Sequence, residues 1–154
     1  MSLALEKLLT PRNGHSSGPE VADTNGRLDV SVVYTSDEAT IAALKRAGAL
    51  AGRLDAQITL VVPQIVPFPL PLVSPPVLLD FSEKRFRGTA AATSVETRVC
   101  LYLCRDRVVT LCEVLSPDAV VVLGGRKRWW PTAERKLARQ LRRAGFEVIY
   151  TEME

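Results

Sequence analysis

The chain has 154 residues, of which 47% are hydrophobic and 24% charged, and its formal net charge at pH 7 is +3. These values are typical of one soluble globular domain that is large enough to bury a core. No apolar run reaches the ~18 residues of a transmembrane helix, and the N-terminal stretch is too short and polar for a signal peptide. We therefore expect a cytoplasmic protein without a membrane span.

From residue 28 onwards, apolar runs and helical spacings alternate along the chain. Residues 1–27 have the composition of a flexible N-terminal tail, and residues 28–154 are predicted to form the folded domain. Within that domain, the strand predicted at 94–104 alternates cleanly, and the side with residues 96, 98, 100, 102 and 104 is expected to be its wetter face. In chain order we predict a strand (28–34), a helix (35–56), a strand (57–62), a proline-rich extended loop (63–79), a short helix from about Asp80, a strand (94–104), a helix (105–117), a strand (118–123), a helix (132–145) and a strand (146–153).

This strand–helix alternation predicts an α/β fold. Buried β-branched strands joined by helices form a parallel sheet that is covered by helices on both faces. Each crossover should be right-handed. The prediction is a single three-layer sandwich around a five-stranded parallel sheet.

The few potential metal ligands do not form a metal site. The three cysteines are Cys100, Cys104 and Cys112, and His15 in the tail is the one histidine. A zinc site would lack a fourth ligand. We therefore expect no metal and three buried, reduced thiols.

Two stretches resemble the universal stress protein family, a branch of the adenine-nucleotide-binding α/β folds (adenine nucleotide alpha hydrolase-like). They are "DVSVVYTSDEATIAALKRAGALAGRLDAQITLVV" (29–62) and "LSPDAVVVLGGRKR" (115–128). The resemblance extends over residues 28–150. It implies a strand order of 3-2-1-4-5.

The resemblance also implies a nucleotide site, although its motif is degenerate here. ATP-binding members close the first strand with an acid and wrap the phosphates with Gly-x2-Gly-x9-Gly-Ser/Thr. In this chain Tyr34 replaces the acid and Gly124 matches the first glycine. Lys127 replaces the second glycine, and residues 137 and 138 (Leu-Ala) replace the Gly-Ser pair.

Position still favours a ligand, because open α/β sheets bind ligands at the carboxyl ends of central strands. An amide nest at Gly124 and Gly125, aided by the basic residues that follow, is predicted to bind ATP, AMP or phosphate weakly. Thr132 either caps the last helix or contacts the anion. The candidate nucleotide- or anion-binding residues are Tyr34, Thr35, Ser36, Val62, Gly124, Gly125, Arg126, Lys127, Arg128 and Thr132.

The sequence leaves two functional hypotheses. The first is a non-enzymatic regulatory or sensory module, since the sole histidine lies in the tail and no base accompanies a nucleophile. The alternative is an adaptor without a small ligand that docks an acidic protein surface. One tryptophan of the pair at 129–130 is expected to pack onto the domain and the other to stay exposed. The candidate partner-contact residues are Trp129, Trp130, Arg135, Arg139 and Arg142.

Two further predictions concern partners. The basic last helix lacks the companions of a nucleic-acid module, so nucleic acid is disfavoured, and a solvated helix face is the simpler interpretation. The last strand is a sheet edge with apolar residues on both sides, which predicts a homodimer through that strand. Its candidate contact residues are Phe146, Val148, Ile149 and Tyr150.

Overall fold

The computed structural model describes residues 28–65, 88 and 97–154 with their side chains, and residues 7–9 as backbone. Its elements, in chain order, are β1 (Lys7–Leu9), β2 (Asp29–Val33), α1 (Asp37–Leu54), β3 (Gln57–Ile65), β4 (Thr97–Cys104), α2 (Arg107–Val114), β5 (Val120–Arg126), α3 (Ala133–Arg143) and β6 (Glu147–Met153). No helix among the described residues is long and apolar enough to span a membrane.

The strands form one sheet in the order β1-β4-β3-β2-β5-β6. β2 to β6 are parallel and their order is the predicted 3-2-1-4-5, so the predicted fold class is confirmed. β1 is an addition, because the sequence assigned residues 1–27 to a tail. It pairs antiparallel with β4 and places Leu8 opposite Cys100. A short strand there covers an edge that would otherwise expose unpaired N–H and C=O groups.

Two apolar cores flank the sheet and make the three layers. One core lies between the sheet and α1, and includes Leu44, Leu60 and Val122. The other lies between the sheet and the α2–α3 pair, and includes Leu111 and Leu141. Both faces of every central strand are therefore buried, as expected for a parallel sheet.

The prediction that the strand at 94–104 has one wetter face is wrong. On β4, Cys100, Tyr102 and Cys104 are at most 9% exposed, because α2 packs over that face. Cys112 is exposed on the outer side of α2, so only two of the three thiols are buried. Among the described residues, no group of His, Cys, Asp and Glu could hold a metal ion.

Pro63 lies inside β3, although we predicted that residue 63 begins a loop. The N–H of Tyr34 donates to the carbonyl of Val61 at 2.9 Å, and the next bond of this parallel ladder would need the N–H of residue 63. Because proline has none, the β2–β3 ladder ends there. β3 continues beside β4, where Pro63 lies opposite Tyr102. Proline is thus tolerated on the side where β3 has become an edge.

Most of the segment between β3 and β4 lies outside the described residues. Residues 66–79 of the predicted loop lie outside the described residues. So does the short helix predicted from about Asp80, apart from Gly88, which is helical.

Candidate functional site

A cleft of about 710 Å³ opens at the carboxyl ends of β2 and β5. The chain crosses from β2 to β3 on one side, while β5 lies on the other. This reversal of crossover direction is where open α/β sheets leave a crevice. α1 and α3 both begin at this crevice. The residues that line it are Ser36, Asp37, Glu38, Gly125, Arg126, Arg128, Trp130, Pro131, Thr132, Ala133 and Glu134.

Five of the ten predicted ligand residues line this cleft: Ser36, Gly125, Arg126, Arg128 and Thr132. Tyr34, Thr35, Gly124 and Lys127 lie beside it, and Lys127 lines a smaller hollow next to Glu154. Val62 is only 2% exposed and belongs to the core beneath α1. The structure therefore brings half of the predicted set together.

Gly124 of β5 lies against the first turn of α1. A Cβ atom at this position would be 1.9 Å from the carbonyl oxygen of Ala39. The hydroxyl of Thr35 donates to the carbonyl oxygen of Gly124 at 3.0 Å, which fixes the same contact. The absence of a side chain at Gly124 thus allows the helix to pack on the strand.

The predicted amide nest is not formed. Gly124 and Gly125 continue the β5 strand opposite Thr151 and Glu152, and the N–H of Lys127 donates to Met153 at 2.8 Å. Neither glycine has the positive φ that an anion-binding nest requires. The glycine pair therefore forms no backbone cradle for an anion in this cleft.

Gly125 makes room for Tyr150 of β6. A Cβ atom there would be 1.9 Å from the Tyr150 hydroxyl, which is buried and forms no hydrogen bond within the described part of the chain. The guanidinium of Arg135 lies 6.0 Å from the centre of the Tyr150 ring and forms an ion pair with Glu152. The hydrogen bond with Glu152 raises the pKa of Arg135. Gly124 and Gly125 therefore both allow a neighbouring group to pack closely on β5: Ala39 of α1 at Gly124 and Tyr150 of β6 at Gly125.

The two hydroxyls in the cleft cap helices. The hydroxyl of Ser36 accepts from the N–H of Ala39 at 3.4 Å, and that of Thr132 accepts from the N–H of Arg135 at 3.3 Å. The sequence allowed Thr132 either to cap the last helix or to contact an anion, and in the structure it caps the helix.

Three carboxylates and two guanidiniums line the cleft. Arg126 spans it and forms an ion pair with Glu38 at 2.6 Å. Asp37 accepts a hydrogen bond from the Tyr34 hydroxyl at 2.6 Å. Asp37, Glu38 and Glu134 were not among the predicted site residues. The available signal was their place in the first turn of a helix that starts at the ligand edge.

The segment 127–131, here called the Trp loop, is exposed along its whole length. Trp129 is 91% and Trp130 72% exposed. Their ring centres are 5.3 Å apart and the planes are tilted by 50°. The prediction that one ring packs onto the domain is wrong. This short loop between β5 and α3 contributes no residue to either core, and the two rings contact each other.

The arginines of α3 divide into two groups. Arg135 and Arg142 hold β6, through Glu152 and through the carbonyl oxygen of Val148, which Arg142 contacts at 3.0 Å. The solvent-facing side, opposite the buried Leu137, Ala138 and Leu141, carries three exposed residues that we call the basic stripe: Lys136, Arg139 and Arg143. Of the predicted contact residues on this helix, only Arg139 belongs to it.

β6 is the sheet edge, as predicted, but its side chains pack within the chain. Phe146, Val148 and Tyr150 contact the core beneath α2 and α3, and Ile149 contacts the core beneath α1. The N–H of Lys127 donates to the carbonyl oxygen of Met153. The backbone N–H and C=O groups of the odd-numbered residues of β6 therefore point towards β5, and those of the even-numbered residues point outwards. Arg142 caps one outward carbonyl, that of Val148.

No protein-family model matches this sequence, and no curated protein matches it closely. Solved structures do match. A universal stress protein in complex with cAMP is 15% identical with a TM-score of 0.57, and the match covers 83% of this chain and 98% of the other. A protein of the universal stress protein family from Burkholderia pseudomallei is 21% identical with a TM-score of 0.54, and the match covers 79% of this chain and 93% of the other. The resemblance predicted from the sequence is confirmed by these structures, and the chain has the fold of the universal stress proteins.

Proposed function

We propose that the chain is a non-enzymatic, universal-stress-protein-like regulatory or sensory module of the cytoplasm. Its ligand is an adenine nucleotide or another small anion, which binds weakly in the cleft at the ends of β2 and β5. The observation that carries this proposal is the cleft itself, with Arg126 and Arg128 at its wall. A matched universal stress protein holds cAMP.

The mode of binding differs from a glycine cradle. With Gly124 and Gly125 in the β5 ladder, phosphate oxygens would be held by the guanidiniums of Arg126 and Arg128. Arg126 is already paired with Glu38, and three carboxylates oppose a second negative charge. Weak binding follows, because an anion must displace Glu38.

Calorimetric titration with Mg-ATP, AMP and phosphate tests the proposal. We expect a Kd between about 0.1 and 1 mM, which corresponds to about −5.5 to −4 kcal/mol. Glu38→Gln should tighten binding several-fold because it frees Arg126 and removes a like charge. Arg128→Gln should weaken binding, and Arg46→Gln on the exposed side of α1 serves as the control.

Two results would retire the nucleotide proposal. One is the absence of heat with every ligand, together with no nucleotide released from the purified protein on denaturation. The other is an equal effect of Arg128→Gln and Arg46→Gln, which would indicate non-specific attraction.

The exposed tryptophans favour a second candidate function. An adaptor could dock an anionic partner, such as an acidic protein surface, through the Trp loop and the basic stripe. The support is the 91% and 72% exposure of the two rings, since exposed tryptophan flanked by arginine is typical of contact sites. Steep loss of partner binding with added salt would support this function.

We also propose a homodimer through the open edge of β6. The side chains are already packed inside, so pairing would use the outward N–H and C=O groups of Val148, Tyr150 and Glu152. Arg142 occupies the carbonyl of Val148 and must leave it. Arg142→Ala is therefore expected to strengthen self-association in sedimentation velocity, while Arg139→Ala should not. Identical behaviour of both variants and the parent chain would place any dimer interface elsewhere.

A further inference from the structure

The Trp loop precedes α3, and the basic stripe lies along the solvent-facing side of that helix. We propose that the two together form one surface that docks on an anionic lipid membrane. The inference rests on the contact function proposed above and gives it a specific partner.

The first argument is the position of the two rings. Trp129 and Trp130 stand in solvent and contact one another, so they present apolar area at the tip of an exposed loop. Indole has an apolar body and a polar N–H, which places it at the boundary between lipid headgroups and acyl chains. The adjacent Lys127 and Arg128 would then meet the headgroup phosphates.

The second argument is the distribution of charge. Residues 124–144 carry eight of the chain's 20 Lys and Arg residues and one of its 17 acids. That acid is Glu134, which lines the cleft and does not belong to the outer face of α3. Lys127, Arg128, Lys136, Arg139 and Arg143 are all exposed and, within the described part of the chain, form no ion pair. The surface is thus a local positive field on a chain whose remainder is net negative.

Shape favours a membrane over an acidic protein. The rings project from a loop, so a protein partner would need a pocket that accepts two adjacent indoles. A bilayer interface requires no complementary pocket. The stripe lies on one face of α3, and its first and last residues, Lys136 and Arg143, are about 10 Å apart along the helix axis. Such a row suits a flat array of phosphates.

The test uses the full chain and two vesicle preparations, phosphatidylcholine alone and phosphatidylcholine mixed with phosphatidylglycerol. Trp129 and Trp130 are the chain's only tryptophans, so the tryptophan emission reports on the loop alone. We expect co-sedimentation with the anionic vesicles, a shift of emission to shorter wavelength and reduced quenching by acrylamide. Added salt should reverse the binding.

Matched charge removals locate the surface. The triple variant Lys136→Gln, Arg139→Gln, Arg143→Gln should lower vesicle binding by about tenfold or more. The control triple Lys45→Gln, Arg46→Gln, Arg53→Gln removes the same charge from exposed positions of α1, on the opposite face of the sheet. It should retain most of the binding, and both triples keep the tryptophan signal.

Each contrary outcome has a distinct meaning. Equal binding to neutral vesicles, full binding by the stripe triple, or unshifted emission from sedimented protein would overturn the membrane inference. Salt-sensitive binding to polyglutamate that the stripe triple loses, without vesicle binding, would leave the contact function standing with an acidic protein as partner. If neither vesicles nor polyglutamate bind, the contact function fails as well.

Discussion

Gly124→Ala is expected to lower the free energy of unfolding by about 3 kcal/mol or more. The new Cβ would lie 1.9 Å from the carbonyl oxygen and 2.6 Å from the carbonyl carbon of Ala39. Both atoms belong to the backbone of α1, so no side-chain rotation relieves the overlap. Either α1 moves off the sheet or β5 distorts. Urea denaturation followed by circular dichroism measures the loss.

Gly52→Ala makes the same chemical change where there is space. Gly52 lies in α1, and an added Cβ would meet nothing within 4 Å. We expect a gain of about 0.5–1 kcal/mol, because alanine is the better helix former. If Gly124→Ala were instead within about 1 kcal/mol of the parent chain, α1 could not be seated on β5 as described. Since Gly124 positions α1, its substitution is also a poor probe of ligand binding, and Glu38 and Arg128 are better ones.

Leu141→Ala is expected to cost about 3–4 kcal/mol. Leu141 is completely buried in the core beneath α2 and α3, together with Leu137. Truncation leaves a cavity at the contact that seats α3 on the sheet. The helix carries the basic stripe on one side and Thr132 and Glu134 of the cleft at its start. Denaturation midpoints at an unchanged urea m-value would show that the loss is one of stability.

Arg139→Ala is the control for this variant, because Arg139 lies on the same helix and faces solvent. Its effect on stability should stay within about 0.5 kcal/mol. A cost below about 1 kcal/mol for Leu141→Ala would contradict the burial of α3, and with it the side that the basic stripe presents.

The N-terminal ends of the helices are features that short sequence patterns can predict. Ser36, Asp106 and Thr132 are N-caps, and each side chain accepts from the N–H three residues on. Gly145, with φ of +99°, follows α3 and is the last residue of the helix predicted at 132–145. These features depend on a few neighbouring residues, so a local pattern suffices to predict them.

The errors arose where the answer depended on distant contacts. The spacing of Cys112 in the sequence is that of a residue facing the core, but α2 packs on the sheet so that Cys112 faces solvent. Arg135 and Arg142 have the composition of a free basic face, but β6 lies close enough to bind both. The sequence contains the charges, whereas their partners come from packing.

The α/β class, the order of the elements and the parallel sheet could be predicted from the sequence, because hydrophobic periodicity and capping residues are local properties. The role of Gly124 and Gly125 could not, because it depends on their neighbours in the folded chain. In sequence they resemble the start of a phosphate loop, but in space Ala39 and Tyr150 occupy the volume beside them. The tertiary structure also decided which cations face solvent and left both tryptophans exposed, because burial depends on elements brought together from distant parts of the chain.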